Sequence, residues 1–159
     1  MKALPILGML ALVLVLAACG GSKSAAKRTT VDLASSSLGQ ILVDGKGRTL
    51  YLFEPDTNGK SACTGSCAST WPPLTASSPT AGSGLDAASL GTIERADGTQ
   101  QVTYHGHPLY TYTGDGSSAG SVKGEGIDTF GGMWYAVDGA GRAVQSSGSG
   151  SEMGGGYGY

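Results

Sequence analysis

The chain repeats itself, and that repetition constrains its fold more than any other feature. Gly47-Arg48-Thr49-Leu50-Tyr51-Leu52-Phe53-Glu54-Pro55-Asp56 runs parallel to Gly106-His107-Pro108-Leu109-Tyr110-Thr111-Tyr112-Thr113-Gly114-Asp115. Both copies read Gly-x-x-Leu-Tyr-x-aromatic-x-x-Asp, and a tryptophan follows each, Trp71 after the first and Trp134 after the second. A smaller echo links Val43-Asp44-Gly45-Lys46-Gly47-Arg48 to Val137-Asp138-Gly139-Ala140-Gly141-Arg142. Such self-similarity predicts two related units. Neither unit alone buries much apolar surface, so the two must pack as one domain.

The local pattern inside the units is that of strands and turns. Leu38 to Val43 and Arg48 to Phe53 flank the turn residues Asp44 to Gly47 and predict a hairpin. Gly91 to Arg95 and Gln100 to Tyr104 flank Asp97-Gly98 in the same way. Pro108 to Thr113 and Met133 to Val137 predict two further strands, and Arg142 to Gln145 follows a last turn. Residues 75–84 and 114–128 are polar and glycine-rich and predict loops. Cys63 to Trp71 leaves room for one helical turn, which Pro72-Pro73 would stop. A charged fraction of 14% and 28 glycines also favour short strands over long helices. The expectation is an all-β (β-dominated) domain over residues 38–145: two pseudo-repeats of short antiparallel hairpins forming one small sandwich or barrel, with at most one short helical turn near Cys63–Trp71.

The N-terminus addresses the chain to a membrane. Met1-Lys2 is a short positive start, and Ala3 to Ala17 is an apolar run too short to span a bilayer as a helix. The run ends in Leu16-Ala17-Ala18-Cys19, which resembles the bacterial lipobox. The resemblance implies a diacylglyceryl thioether on Cys19 and cleavage after Ala18. Residues 1–18 are therefore expected to be a lipoprotein signal peptide and 19–37 the lipidated cysteine with a flexible tether. Residues 146–159, rich in Gly and Ser, are expected to be a disordered tail. Two or three acyl chains hold a protein stably where one does not. Without Lys2 the mature chain has 9 basic and 12 acidic residues, a balance of −3 that argues against nucleic acid as a partner.

The two motif copies, together with Cys63-Thr64-Gly65-Ser66-Cys67-Ala68 and Trp71-Pro72-Pro73-Leu74, are similar to a family of bacterial lipoproteins with a Tyr-x-aromatic-x-x-Asp motif, a secreted repeat of unknown function. The matching motif residues are Tyr51, Phe53 and Asp56, then Tyr110, Tyr112 and Asp115. The resemblance covers roughly residues 38–145. It implies an envelope location and a two-unit architecture but no reaction. The second copy lacks the cysteines and the Pro-Pro pair, so any role of the cysteines belongs to one half.

Several groups are candidates for chemistry. Tyr51 and Phe53 share one strand face, as do Tyr110 and Tyr112, with Leu50, Leu52, Leu109 and Thr111 opposite. The aromatic faces form either a binding strip or the core between small sheets. A domain this poor in large apolar residues favours the core. Asp56 and Asp115 either shape the turns that leave the strands, pair as acid and base, or bind Ca²⁺; Asp56-Thr57-Asn58-Gly59 begins like a calcium loop but lacks its further acidic ligands. Cys63 and Cys67 are expected to form a disulfide in an oxidising compartment. The alternative is copper handling or thiol-redox chemistry, in which the two thiolates join His105 or His107 around Cu(I); zinc would need both histidines. No nucleophile–base arrangement and no phosphate-cradling glycine loop stands out.

The expected function is that of a lipid-anchored, extracytoplasmic, non-enzymatic module that binds or interacts with an unknown envelope ligand or protein and needs no cofactor or metal. The copper or thiol-redox protein using Cys63 and Cys67 is the alternative.

Overall fold

The computed structural model describes residues 28–57 and 59–145. The expected signal peptide 1–18, the lipid site Cys19, the first part of the tether and the tail 146–159 lie outside the described residues.

Among the described residues the domain is built from strands, as its sequence leads one to expect, with one short α-helix, α1 (Ser66–Thr70). The strands form three small sheets of three. In the first, β1 (Arg28–Ser36) lies between β2 (Gly39–Asp44) and β4 (Ser78–Ala81). In the second, β9 (Gly132–Ala136) lies between β3 (Tyr51–Phe53) and β8 (Ile127–Thr129). In the third, β6 (Gln100–Tyr104) lies between β5 (Leu90–Glu94) and β7 (His107–Pro108).

Three expectations need correction. The tether over 19–37 does not extend through its last residues, because Arg28–Ser36 is a strand. It looks like linker because Val31 is its one fully buried apolar anchor; the strand is held by hydrogen bonding on both sides. The 75–84 stretch contributes β4, which runs parallel to β1, with Thr30 beside Thr80 and Val31 beside Ala81. The sheets are therefore not made of antiparallel hairpins alone. Finally, Pro108 to Thr113 is not a laddered strand: β7 ends at Pro108, and Thr113–Asp115 is a 3-10 turn. Tyr110 bridges Pro73 instead. Leu109, Tyr110 and Thr111 bond residue by residue to different partners, Leu109 to Val102 and Leu74, Tyr110 to Tyr51 and the Thr111 N–H to Pro72 C=O, because Pro72 and Pro73 lack the N–H that a continuous ladder beside them would need.

Two rings of backbone hydrogen bonds show how the halves interlock. Leu42 N–H donates to Val137 C=O at 2.7 Å, Val137 to Leu50 at 3.2 Å, and Leu50 back to Leu42 at 2.9 Å. The second ring runs Val102 to Leu74 (2.8 Å), Leu74 to Leu109 (2.9 Å) and Leu109 to Val102 (2.9 Å). Leu42, Leu50 and Val137 thus correspond to Val102, Leu109 and Leu74. Each ring takes two members from one repeat and its third from the other. Between the rings, Tyr51 and Tyr110 exchange backbone bonds of 2.9 and 3.0 Å, which gives the domain an approximate twofold relation.

Strand alternation sorts the side chains into two cores. Leu50 and Leu52 join Val31, Leu42, Leu74, Val102, Leu109 and Val137 in an aliphatic cluster. Tyr51 and Phe53 join Ile41, Cys63, Cys67, Trp71, Tyr110 and Trp134 in an aromatic one. The central layer is buried on both faces.

Candidate functional site

The aromatic cluster is a column of four rings. Phe53 stacks on Trp134 with centroids 4.1 Å apart, Trp134 on Trp71 at 4.0 Å, and Trp71 on Tyr112 at 4.2 Å. The column alternates between repeats at every step. Tyr51 meets Trp71 edge-on at 5.3 Å, and Tyr110 meets Trp134 in the same way at 5.1 Å. Each such pair adds about 0.5–1.5 kcal/mol beyond burial. The column packs tightly at its centre: a Cβ on Gly124 would lie 2.8 Å from Tyr51 Cζ and 2.9 Å from Trp71, so only glycine fits there.

The motif carboxylates are exchanged between repeats as well. The Tyr51 hydroxyl donates to Asp115 Oδ2 at 2.7 Å, and the Tyr110 hydroxyl donates to Asp56 Oδ2 at 2.7 Å. Asp115 also accepts from Ser121 Oγ at 3.0 Å and from the Lys123 N–H at 2.9 Å. Asp56 Oδ1 accepts the Ala62 N–H at 2.7 Å. The motif tyrosine of one repeat therefore meets the motif aspartate of the other, and the two aspartates do not face each other as an acid–base pair.

Burial, then the Asp115 hydrogen bond and charge, push the Tyr51 phenol far above its ordinary range. Burial does the same at Tyr110, where the Asp56 carboxylate raises it further and Ser61 opposes. Burial also raises the Asp56 carboxyl, against the lowering effect of the Ala62 N–H and the Tyr110 hydroxyl. The two phenols stabilise the fold in full below the unfolded-state value of about pH 10, and that stability is lost as pH rises above it. In an alkaline titration followed by tyrosinate absorbance, Tyr51 and Tyr110 are expected to ionise only as the fold collapses. Titration of every tyrosine near pH 10 in an intact fold would contradict this assignment.

Cys63 and Cys67 form the expected disulfide, with Cα atoms 5.3 Å apart, and both belong to the aromatic cluster. His105 lies at a turn with φ 48°, its ring edge-on to Tyr104 at 4.7 Å. His107 is exposed on β7, near enough to the Asp56 carboxylate to act on it electrostatically. The copper reading needs free thiolates beside a histidine, whereas here the two sulfurs are bonded to each other inside the core. Among the described residues, no three His, Cys, Asp or Glu side chains gather into a metal-holding group.

The sequence pattern did not point to a second polar cluster, beside the disulfide. Arg95, only 9% exposed, donates from Nη1 to Ser61 Oγ (2.7 Å) and Gln101 Oε1 (2.6 Å), and from Nη2 to the Cys63 carbonyl (2.6 Å). Ser61 Oγ lies 2.7 Å from the Tyr110 hydroxyl, so this cluster continues into the Tyr110–Asp56 pair. Gln101 is fully buried and donates to the Leu109 carbonyl at 2.9 Å. It precedes Val102 as Ile41 precedes Leu42, and Ile41 is an equally buried part of the aromatic cluster. This departure between repeats was the available signal: one copy puts an aliphatic residue where the other puts an amide and brings an arginine to it. Above the cluster opens a cavity of about 420 Å³, lined by residues that include Lys60, Ser61, Thr64, Glu94, Arg95 and Asp97.

The family described as a secreted repeat of unknown function matches this chain twice, over residues 32–75 and 91–138. Each match runs from the first strand of one repeat (β1 or β5) to the residue just after its contribution to the other repeat's hydrogen-bond ring, so the sequence repeat and the interlocked structural half coincide. No curated protein and no solved structure matches the chain. With both copies in place and more than half its length matched, the chain belongs to the secreted repeat family of unknown function.

Proposed function

We propose that the protein is a lipid-anchored extracytoplasmic binding module without catalytic activity, of the lipoprotein kind marked by Tyr-x-aromatic-x-x-Asp, and that its site is the cavity beside the disulfide. One observation carries the binding reading. The chemistry-bearing motif side chains, Tyr51, Asp56, Tyr110 and Asp115, are engaged with one another across the repeats. The cavity instead presents charged and hydroxyl groups over a buried arginine. Its volume falls within the range of about 300–1,000 Å³ in which small-molecule sites lie.

The lipobox supports the anchor, with Cys19 as the modified residue. Among the described residues no helix is long and apolar enough to cross a membrane. The envelope ligand or partner is expected to be engaged by the folded domain standing off the bilayer, and the acidic balance of the mature chain disfavours nucleic acid.

The test has two readouts on one protein. Expressed in bacteria fed labelled palmitate, the wild-type chain is expected to take up label and sediment with membranes, and Cys19→Ser to do neither. The detergent-solubilised chain, screened by amide NMR against small anionic, cationic and zwitterionic compounds, is expected to shift at Thr64, Gly65 and Ala96. An unlabelled, soluble wild-type chain would remove the anchor. A screen in which no compound moves those amides would remove the binding site.

A further inference from the structure

We infer that the cavity beside the disulfide takes a small zwitterion, an amino acid or short peptide, with its carboxylate at Arg95 and Lys60 and its ammonium at Glu94 and Asp97. The inference rests on the binding reading above and names the ligand class for the same site.

The first observation is the state of Arg95. A guanidinium has five N–H donors. Three are engaged, and all three acceptors are neutral: Ser61, Gln101 and the Cys63 carbonyl. No carboxylate bridges Arg95 among the described residues, and Nε is buried without a hydrogen-bond partner. The carboxylates of Asp56 and Asp97 feel its charge without bonding to it, and a buried cation with no bonded anion is an expensive arrangement. Nε is enclosed, so one Nη2 N–H is left for a ligand, and an ionised acceptor such as a carboxylate makes the stronger bond there.

The second observation is the sign pattern around the opening. Lys60, Glu94 and Asp97 are exposed and line the same cavity as Arg95. The described ion pairs join Arg48 to Asp44 and Arg142 to Asp138; none joins any of these four charges to another. A simple anion would feel the repulsion of Glu94 and Asp97, and a simple cation that of Lys60 and Arg95. A ligand carrying both charges is drawn by both pairs. Ser61 and Thr64 add hydroxyls, and Gly65, Ala68 and Ala96 leave the walls low, which suits a small polar body.

The third observation is asymmetry. Where the first repeat buries Ile41, the second buries Gln101 to hold Arg95. An aliphatic residue satisfies the fold at the corresponding place, so the polar cluster is an addition to what packing requires.

The test is calorimetric titration of the full-length, detergent-solubilised chain with alanyl-alanine, with its N-acetyl derivative and with its amide. Alanyl-alanine is expected to bind, and each blocked form to bind about tenfold more weakly or not at all. Lys60→Met and Glu94→Gln, both at exposed positions, are each expected to weaken alanyl-alanine by about threefold to fivefold. Glu94→Gln should leave the N-acetyl form unaffected. Arg95→Gln should abolish binding, with its melting temperature reporting whether it still folds. Equal binding of the N-acetyl form would overturn the zwitterion assignment and leave the binding reading standing. The same holds if alanyl-alanine is silent while the NMR screen finds another class of ligand. Silence in both would remove the two together.

Discussion

Cutting the chain between Ser83 and Gly84 is expected to give two halves that are unfolded apart and fold when mixed. Both residues are exposed, so the break itself removes no core contact. Each isolated half then lacks the third member of its own hydrogen-bond ring: the first loses Val137 and the second loses Leu74. The aromatic column loses every second ring, because Phe53 and Trp71 lie in one half and Trp134 and Tyr112 in the other. Tyr51 loses Asp115 and Tyr110 loses Asp56. What remains in each half is a few short strands with one face of each core open to water, less than an independent domain needs. Near-UV circular dichroism reads the packed tryptophans directly. The halves should be silent alone and give the intact signal at one-to-one stoichiometry. A native-like spectrum from either half alone would show that the repeat is an autonomous unit and that the interlocking is incidental.

The need for two repeats was legible in the sequence, because the spacing of Tyr51, Phe53 and Asp56 recurs at Tyr110, Tyr112 and Asp115, and a tryptophan follows each, Trp71 and Trp134. The period of two also put the aromatics and the leucines on opposite faces, and the two cores follow that division. What could not be read was which repeat each residue serves. Alternation along a strand fixes the face of a side chain but not its partner. The exchange of Tyr51 and Tyr110 between Asp115 and Asp56 depends on chain crossings that are absent from the local pattern. β1 was missed because sheet hydrogen bonding stabilises it and a single buried valine anchors it, so hydrophobic periodicity is weak there. The motif drew attention to the most repeated residues. The cavity lies where the repeats differ, at the disulfide loop and at Arg95, which the buried Gln101 holds. Symmetry in this chain marks the core, and its breaking marks the candidate site.

Replacing Trp71 with alanine is expected to cost about 3–5 kcal/mol, as large aromatic truncations in full cores do. Trp71 is completely buried and touches three of the ring partners: Trp134 at 4.0 Å, Tyr112 at 4.2 Å and Tyr51 at 5.3 Å. Its loss opens the middle of the column, where neighbours fixed by strand pairing cannot collapse into the gap. Against a total stability of about 5–15 kcal/mol for an ordinary domain, the variant should sit close to its unfolding transition at growth temperature. Urea denaturation is the measurement, and a fall in midpoint without a change in slope is the signature of lost stability in an unchanged fold. A loss below about 1 kcal/mol would mean that the stack is not the core of the domain. Phenylalanine gives a finer test, because the two tryptophans differ in one bond. Trp134 Nε1–H donates to the Thr129 carbonyl at 3.3 Å, whereas Trp71 Nε1 is buried with no acceptor. Trp134→Phe removes a ring and a hydrogen bond, while Trp71→Phe removes a ring and an unsatisfied donor. Trp71→Phe should therefore be the milder change by about 1–2 kcal/mol, although the two positions correspond in the repeat.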